Sequence, residues 1–225
     1  MNHIGVLNEQ SLHAALKSWY AKAGDGVEVS VDGYVIDLVQ GDLLVEIQTG
    51  NFSSIKRKMF SLVDSHAVRL VYPIAREKWL LKLPREGWDT PRRRKSPKRG
   101  SVVEVFDELV SFPQFLREDN FSLEVVLIQE EEVRRYVGKK KAWRKNGWAT
   151  VDRRLLDVVE RRLFKCPADM ATLLPKGLPE TFTTADLAQA LDAPRWLAQK
   201  MAYCLREMGG INQIGKRGGS YLYKK

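Results

Sequence analysis

Two acidic residues stand inside otherwise apolar runs. Residues 34–47 read YVIDLVQGDLLVEI, so Asp37 interrupts one hydrophobic stretch and Glu46 the next, with Gln40-Gly41-Asp42 between them. A tight glycine-containing turn makes these two runs a hairpin, which can bring both carboxylates to one edge of a sheet. Gln48, two residues beyond Glu46, points to the same face. Burying a carboxylate without compensation is costly. Asp37 and Glu46 therefore either hold a cation, pair with a base such as Lys56, Lys58 or Arg69, or face solvent. Two carboxylates and a nearby backbone carbonyl suit Mg²⁺ or Mn²⁺, hard ions that take oxygen ligands and keep several waters. Such an ion activates water and neutralises charge on a phosphodiester. His3, His13 and His66 share no metal-ligand spacing, and Cys166 and Cys204 form no CxxC pair. The chain carries neither a GxSxG sequence nor a phosphate-binding glycine loop, which argues against a serine hydrolase and a nucleotide-driven motor.

The elements that must position these residues follow from periodicity. Leu12, Leu16 and Trp19 recur at helical spacing and predict a helix over 8–21, with Asn8 as its cap. Residues 27–31, 34–39 and 43–47 predict an antiparallel meander. A helix capped by Ser53 or Ser54 then runs to about His66 with Ile55, Met59, Leu62 and Val63 on its apolar side, and 67–74 reads as a buried strand. The order is an α/β core. Lys78 to Leu83 extends the sheet, 85–100 has the composition of a mobile loop, 101–116 reads as a helix broken near Pro113, and 121–128 as a further strand. Leu155, Val159 and Leu163 predict a helix after Thr150. These readings divide the chain into a domain at 1–135, a basic linker at 136–149 and a second domain at 150–225.

The string Asp37-x8-Glu46-Ile47-Gln48, in the order αβββαβ and followed by a lysine-bearing helix, resembles the PD-(D/E)XK nuclease superfamily over about 8–74. The resemblance implies a restriction-endonuclease-like fold, with Asp37 and Glu46 as metal ligands and Glu9 on the first helix as an additional carboxylate. Gln48 stands where the commonest pattern has lysine. A neutral amide cannot supply that cation, and the helix after Gly50 is the nearest source in sequence. On its helical wheel Lys56 lies nearer the apolar centre and the helix start than Lys58, so Lys56 is the first choice for the catalytic charge and Lys58 the second.

Further along, Thr183-Thr184-Ala185-Asp186 has the form of a capping box. Asp192-Ala193-Pro194 makes a turn, and a helix from Pro194 to Met208 buries Leu197, Met201, Cys204, Leu205 and Met208. A hairpin with a GKRGG turn follows. Helix, turn, helix and basic hairpin resemble a winged helix-turn-helix domain. In that resemblance Arg195, Gln199, Lys200 and Tyr203 lie on the DNA-reading helix, and Lys216 and Arg217 on the wing contact phosphates or the minor groove.

The charge balance agrees. The 225 residues carry 37 Lys plus Arg against 28 Asp plus Glu, a formal net charge of +9 that favours polyanionic partners. Seven basic residues fall in 85–100 against two acidic ones, and seven in 133–145 against none. Trp88, Trp143 and Trp148 lie among them, where aromatic rings stack on bases. No apolar run reaches the length a bilayer demands and the N-terminus lacks a secretion pattern, so a soluble, cytoplasmic protein with no membrane partner is expected. Together these features point to a magnesium-dependent DNA nuclease whose winged helix positions the duplex. The alternative is a catalytically silent nuclease fold that binds DNA, or a transcriptional regulator. DNA is the expected partner, and a homodimer is compatible with either reading.

Overall fold

The computed structural model describes residues 11–84, 87 and 90–225. It is a mixed α/β fold. One large sheet has the strand order β1 (Gly26–Val31), β2 (Tyr34–Gln40), β3 (Leu43–Ile47), β4 (Ala67–Lys82), β6 (Phe121–Tyr136) and β7 (Trp148–Phe164), with β5 (Arg92–Lys95) paired on β4. The chain divides into two compact units, and the long strands β4, β6 and β7 run from one into the other.

One unit contains 26–72, 102–125 and 162–225. Its meander is set by two turns. Asp32 and Gly33 both have positive φ, 49° and 80°, which is the backbone a two-residue hairpin turn requires and which Asp-Gly supplies at little cost. The second turn is Gly41-Asp42, after which β2 and β3 pair as Leu38 with Val45, Val39 with Leu44 and Gln40 with Leu43. Phe52–Ile55 forms a 3-10 turn that leads into α2 (Lys56–Val63), the crossover that makes β3 and β4 parallel. Met59, Leu62 and Val63 of α2 are buried as the spacing requires. The segment 101–116, expected as a helix broken near Pro113, is a 3-10 turn at Val102–Val105, the single-turn α3 (Phe106–Leu109) and a second 3-10 turn at Pro113–Arg117. Its aromatic residues form a cluster in which Phe52 stacks on Phe112 at 5.4 Å and Phe112 meets Phe115 edge-on at 4.9 Å.

The C-terminal part of this unit holds α4 (Pro167–Ala171), β8 (Thr181–Thr183), α5 (Thr184–Leu191), α6 (Arg195–Glu207), β9 (Asn212–Arg217) and β10 (Ser220–Lys224), with a small sheet in the order β8-β10-β9. The capping box is formed. Thr183 accepts from the Asp186 N–H, and the Asp186 carboxylate accepts from the Thr183 N–H at 2.8 Å. The apolar face expected of α6 is buried in full, from Leu197 to Met208.

The other unit is built from α1 (Ser11–Tyr20) and residues within 73–101 and 126–161. It corrects two expectations. Arg92–Lys95, expected to be loop, is β5, paired antiparallel with Trp79–Lys82. Residues 150–163, expected to be helical, lie in the 17-residue strand β7. Residues 137–147, within the basic segment 136–149, form a closed turn from β6 to β7, tied at its base by the Val137 N–H donating to the Gly147 carbonyl at 2.8 Å.

This unit also pairs several of the basic residues with buried acids. Glu130, Glu131 and Glu132 are consecutive on β6 and all buried. Lys78 stands 2.7 Å from Glu130 Oε1 and 3.3 Å from Glu132 Oε2, while Arg153 reaches Glu130 Oε2 at 2.6 Å. Arg93 meets Glu131 at 2.7 Å, and Arg134 and Lys145 meet Glu132 at 2.9 and 3.3 Å. Burial alone would push the Glu132 carboxyl up, yet hydrogen bonds from Arg134 and Thr150 and the charge of Lys78 hold it well below the usual carboxylate range. Removing either side of such a buried pair strands a charge. Arg93, Arg134 and Lys145 are thus structural counter-ions. Among the described residues no helix is long and apolar enough to cross a membrane.

Candidate functional site

The register of β2 and β3 determines the acidic site. Leu38 lies opposite Val45 at the end of the β2–β3 ladder, and the next residues along the two strands are Asp37 and Glu46, close enough for the Asp37 charge to act on Glu46. Asp37 is half-buried and Glu46 is buried. Asp37 Oδ2 accepts the Ile47 N–H at 2.8 Å, which fixes its carboxylate across the hairpin. Two like charges this close repel. Burial pushes the Glu46 carboxyl up, the Asp37 charge pushes it the same way, and the Lys58 ammonium pulls it back.

Lys58 reaches this pair from the first turn of α2. Its Nζ stands 2.6 Å from Glu46 Oε2 and donates to the Val35 carbonyl at 2.6 Å. Lys56, the first choice from the sequence, is exposed and leans over the Phe60 ring at 5.8 Å. The two lysines flank the buried side of α2, and only the Lys58 flank faces β2 and β3. Gln48 turns its amide into the loop that follows, donating to the Gly50 carbonyl, to the Asn51 carbonyl at 3.2 Å and to Ser54 Oγ at 3.3 Å. Its backbone N–H meanwhile continues the parallel ladder to the Val71 carbonyl at 2.9 Å. Gln48 therefore holds the β3–α2 connection in shape. The sequence reading missed the part of Asn51 and Ser54; the polar run Asn51-x-Ser53-Ser54 before a helix is the signal that marks it. Arg69 is engaged elsewhere, 3.6 Å from Glu124. Glu9 lies outside the described residues.

Among the described residues no group of three or more His, Cys, Asp or Glu side chains is placed to hold a metal ion. Asp37 and Glu46 thus provide two carboxylates, with the Ile47 carbonyl adjacent in sequence. An all-oxygen set of this size fits a Mg²⁺ ion that retains most of its water. Such a cation would relieve the like-charge repulsion that, after burial, raises Glu46.

A second cluster lies on the C-terminal elements. Arg195, Gln199, Tyr203, Arg206 and Tyr221 line an open groove of about 390 Å³ between α6 and the β9–β10 hairpin. Three of the residues expected to read DNA, Arg195, Gln199 and Tyr203, are among them. Lys200 is not: its ammonium pairs with Asp107 of α3. Arg217 pairs with the capping residue Asp186. Hydrogen bonds from Thr183, together with the Arg217 charge, hold that carboxylate below its usual range. Lys216 lies in β9 opposite Tyr221, with its ammonium 5.4 Å from the ring. The hairpin turn itself is Gly218-Gly219. Tyr221 escaped the sequence reading, whereas Arg206 is among the residues that the apolar pattern of α6 leaves for its other faces.

Comparison with known proteins gives relatives without a stated activity. An uncharacterized protein of Treponema pallidum (strain Nichols) is 31% identical over 223 residues, covering 99% of this chain and 87% of its own length. That similarity extends through the C-terminal elements as well as the sheet. No solved structure matches the chain. The model of the family described as "Domain of unknown function (DUF8091)" matches residues 10–165, from the start of α1 to just past the end of β7, and the chain belongs to that family.

Proposed function

We propose that the protein is a magnesium-dependent deoxyribonuclease of restriction-endonuclease-like fold, with α5, α6 and the β9–β10 hairpin acting as a winged helix that holds duplex DNA. The observation that carries this reading is the proximity of Asp37 and Glu46 across the β2–β3 hairpin with the Lys58 ammonium 2.6 Å from Glu46. The strand and helix order around the hairpin, α1-β1-β2-β3-α2-β4, supports it. Asp37 and Glu46 would hold the metal, which would supply Lewis acidity toward a phosphodiester oxygen and the attacking water. Asp37 is kept in position by the Ile47 N–H, so its carboxylate loses little freedom on taking up a cation. Lys58 supplies the positive charge that Gln48 cannot, beside the position where negative charge develops. At the C-terminal groove, Arg195, Gln199 and Tyr203 present a guanidinium, an amide and a phenol from one side of α6, a set suited to phosphate and base-edge contacts.

The Lys58–Glu46 pair also favours a second reading. An ammonium in contact with a buried carboxylate is a complete ion pair without any metal, as in a nuclease fold that has lost catalysis and retains DNA binding. Incubation of supercoiled plasmid with Mg²⁺ separates the two. Nicking or linearisation that EDTA stops, and that Asp37→Ala and Glu46→Ala each abolish while duplex affinity stays within a few-fold, is the expected outcome. Wild-type cleavage by either variant refutes the site assignment, and DNA binding without cleavage selects the silent fold.

A further inference from the structure

The turn between β6 and β7 has a shape and a surface that the acidic site does not use. Its base is fixed. Trp148 is buried there, with Tyr136 edge-on at 5.5 Å and the Lys82 ammonium over its ring at 4.4 Å. Gly147 has φ of 86°, and a Cβ at that position would lie 2.5 Å from Tyr136 Cε2 and 3.0 Å from the Gly138 backbone, so the turn closes tightly. Within it the Gly147 N–H donates to Ala142 at 2.8 Å and the Lys141 N–H to Gly138 at 3.2 Å, and Trp143–Lys145 makes a 3-10 turn at the apex.

The apex presents one ring and a row of cations. Trp143 is 72% exposed, more than any other large hydrophobic side chain among the described residues. Lys139, Lys140, Lys141 and Arg144 around it are exposed, and Arg144 lies 5.2 Å from the indole centroid. No acidic residue occurs between Glu132 and Asp152. Lys145 turns back to Glu132, so it belongs to the interior charge network. A tryptophan left in water forfeits a large burial gain. A partner that recovers it here must be anionic and must offer a flat apolar face at the spacing of its charges. Single-stranded nucleic acid meets both conditions, because its unpaired bases have open π faces and its phosphates flank them. In a duplex the bases are already stacked on one another.

We propose that the β6–β7 turn is a contact for single-stranded DNA, in which Trp143 stacks on an unpaired base while Lys139, Lys140, Lys141 and Arg144 hold the flanking phosphates. The choice of DNA rests on the nuclease reading above; the stacking and charge argument does not depend on the acidic site. If the protein is a nuclease, its preferred substrates then contain unpaired segments, such as flaps, forks or overhangs.

The test is fluorescence anisotropy of the full chain with a labelled 20-nucleotide strand and with the matching duplex, in EDTA so that nothing is cut. Trp143→Ala should weaken single-strand binding by between about 5-fold and about 150-fold, the range of one stacked base, and duplex binding by less than about 3-fold. Trp143→Phe, which keeps a stacking ring, should recover most of the loss. Changing Lys139, Lys140 and Lys141 together to Gln should lower the salt slope on the single strand by about 2, near 0.7 per phosphate contact. Equal effects of Trp143→Ala on strand and duplex, or none on either, overturn the proposal. So does Trp143-dependent binding to anionic phosphatidylserine vesicles with no Trp143 dependence on DNA, which makes the turn a membrane contact. Plasmid cleavage is scored separately: strand binding that depends on Trp143 without any cleavage in Mg²⁺ sustains this contact and removes the nuclease reading, and the reverse pattern removes this contact alone.

Discussion

Replacing Lys58 by methionine should destabilise the protein in a way that depends on pH, and the size of the effect can be bounded. The wild-type ammonium lies 2.6 Å from Glu46 Oε2 and lowers a carboxyl that burial and Asp37 both raise. Without it the Glu46 carboxylate faces Asp37 uncompensated, and its folded-state pKa rises further above the ordinary value of 4.5. A carboxyl raised in the fold leaves stability intact below its unfolded pKa and removes it progressively as pH climbs toward the folded pKa. The loss has a ceiling because Glu46 can take up a proton instead. Between pH 4.5 and 7 that proton costs about 2.5 pH units at about 1.36 kcal/mol each, so the pH-dependent part is at most about 3.4 kcal/mol. Loss of the hydrogen bond to the Val35 carbonyl adds about 1 kcal/mol at every pH. Urea unfolding of wild type and variant at pH 4.5, 5.5, 6.3 and 7 reads both parts, since other titrating groups cancel in the difference. The expected result is a gap of about 1 kcal/mol at pH 4.5 that widens steadily to pH 7 and that closes to a constant when Glu46→Gln is added. A gap of the same size at all four values would refute the reasoning, because Lys58 would then not be acting on the Glu46 charge.

Three further outcomes test other parts of the structure. On cleavage of plasmid in Mg²⁺, Lys58→Ala should lower the rate by more than tenfold, a barrier increase above about 1.4 kcal/mol, while Lys56→Ala stays within about twofold. Equal rates for the two variants remove Lys58 from the site. Thr183→Ala breaks the reciprocal cap with Asp186 and should cost about 0.5–2 kcal/mol in urea unfolding, with Thr183→Ser largely restoring it. Gly100→Ala should cost about 1–3 kcal/mol, because the added Cβ would lie 2.5 Å from the Ala75 carbonyl oxygen and 2.7 Å from Ile74 Cγ2; a neutral result there means that the segment around Gly100 moves away from β4 at little cost.

The meander, α2 and the acidic pair were legible in the sequence because each depends on local rules. Asp-Gly and Gly-Asp turns set hairpin registers, and a register once set decides which side chains oppose. The strand β7 was not legible. Leu155, Val159 and Leu163 recur every four residues, a spacing that keeps one face of a helix and also one face of a strand, since four is a multiple of two as well as close to 3.6. Its three described charged clusters, Asp152-Arg153-Arg154, Asp157 and Glu160-Arg161-Arg162, imitate the alternation of an exposed helix. What decides the matter is distant in sequence: Arg153 bonds to Glu130 on β6 and Ser11 Oγ to the Arg153 carbonyl at 2.9 Å. The same holds for β5, whose residues Arg92–Lys95 have no strand propensity as a group of four cations. They pair with β4 because Glu131 and Glu77 take up Arg93 and Lys95 and the Trp79 ring lies beneath both.

The choice between Lys56 and Lys58 shows where a helical wheel stops. The wheel measures angular distance from the apolar direction and is symmetric about it, so it ranks Lys56 and Lys58 by closeness to the core without saying which flank faces the acidic strands. That is set by how α2 lies across β2 and β3, and the contact with the Val35 carbonyl decides it for Lys58. Net charge has a similar blind spot. The 37 Lys and Arg include Arg93, Arg134, Lys145 and Arg153 alongside Lys139, Lys140 and Lys141, and the sum does not tell that the first four pair with the buried Glu130-Glu131-Glu132 run while the last three stand in water. Acid should therefore act on the first group before the second. Glu132 is held low by its partners, so its stabilising share is present above the ordinary carboxylate pKa and is lost as pH falls below it, while the exposed Lys139, Lys140 and Lys141 are not among those partners. Loss of fold at low pH and loss of polyanion binding at high salt are thus separate properties of two sets of basic residues that lie side by side in sequence.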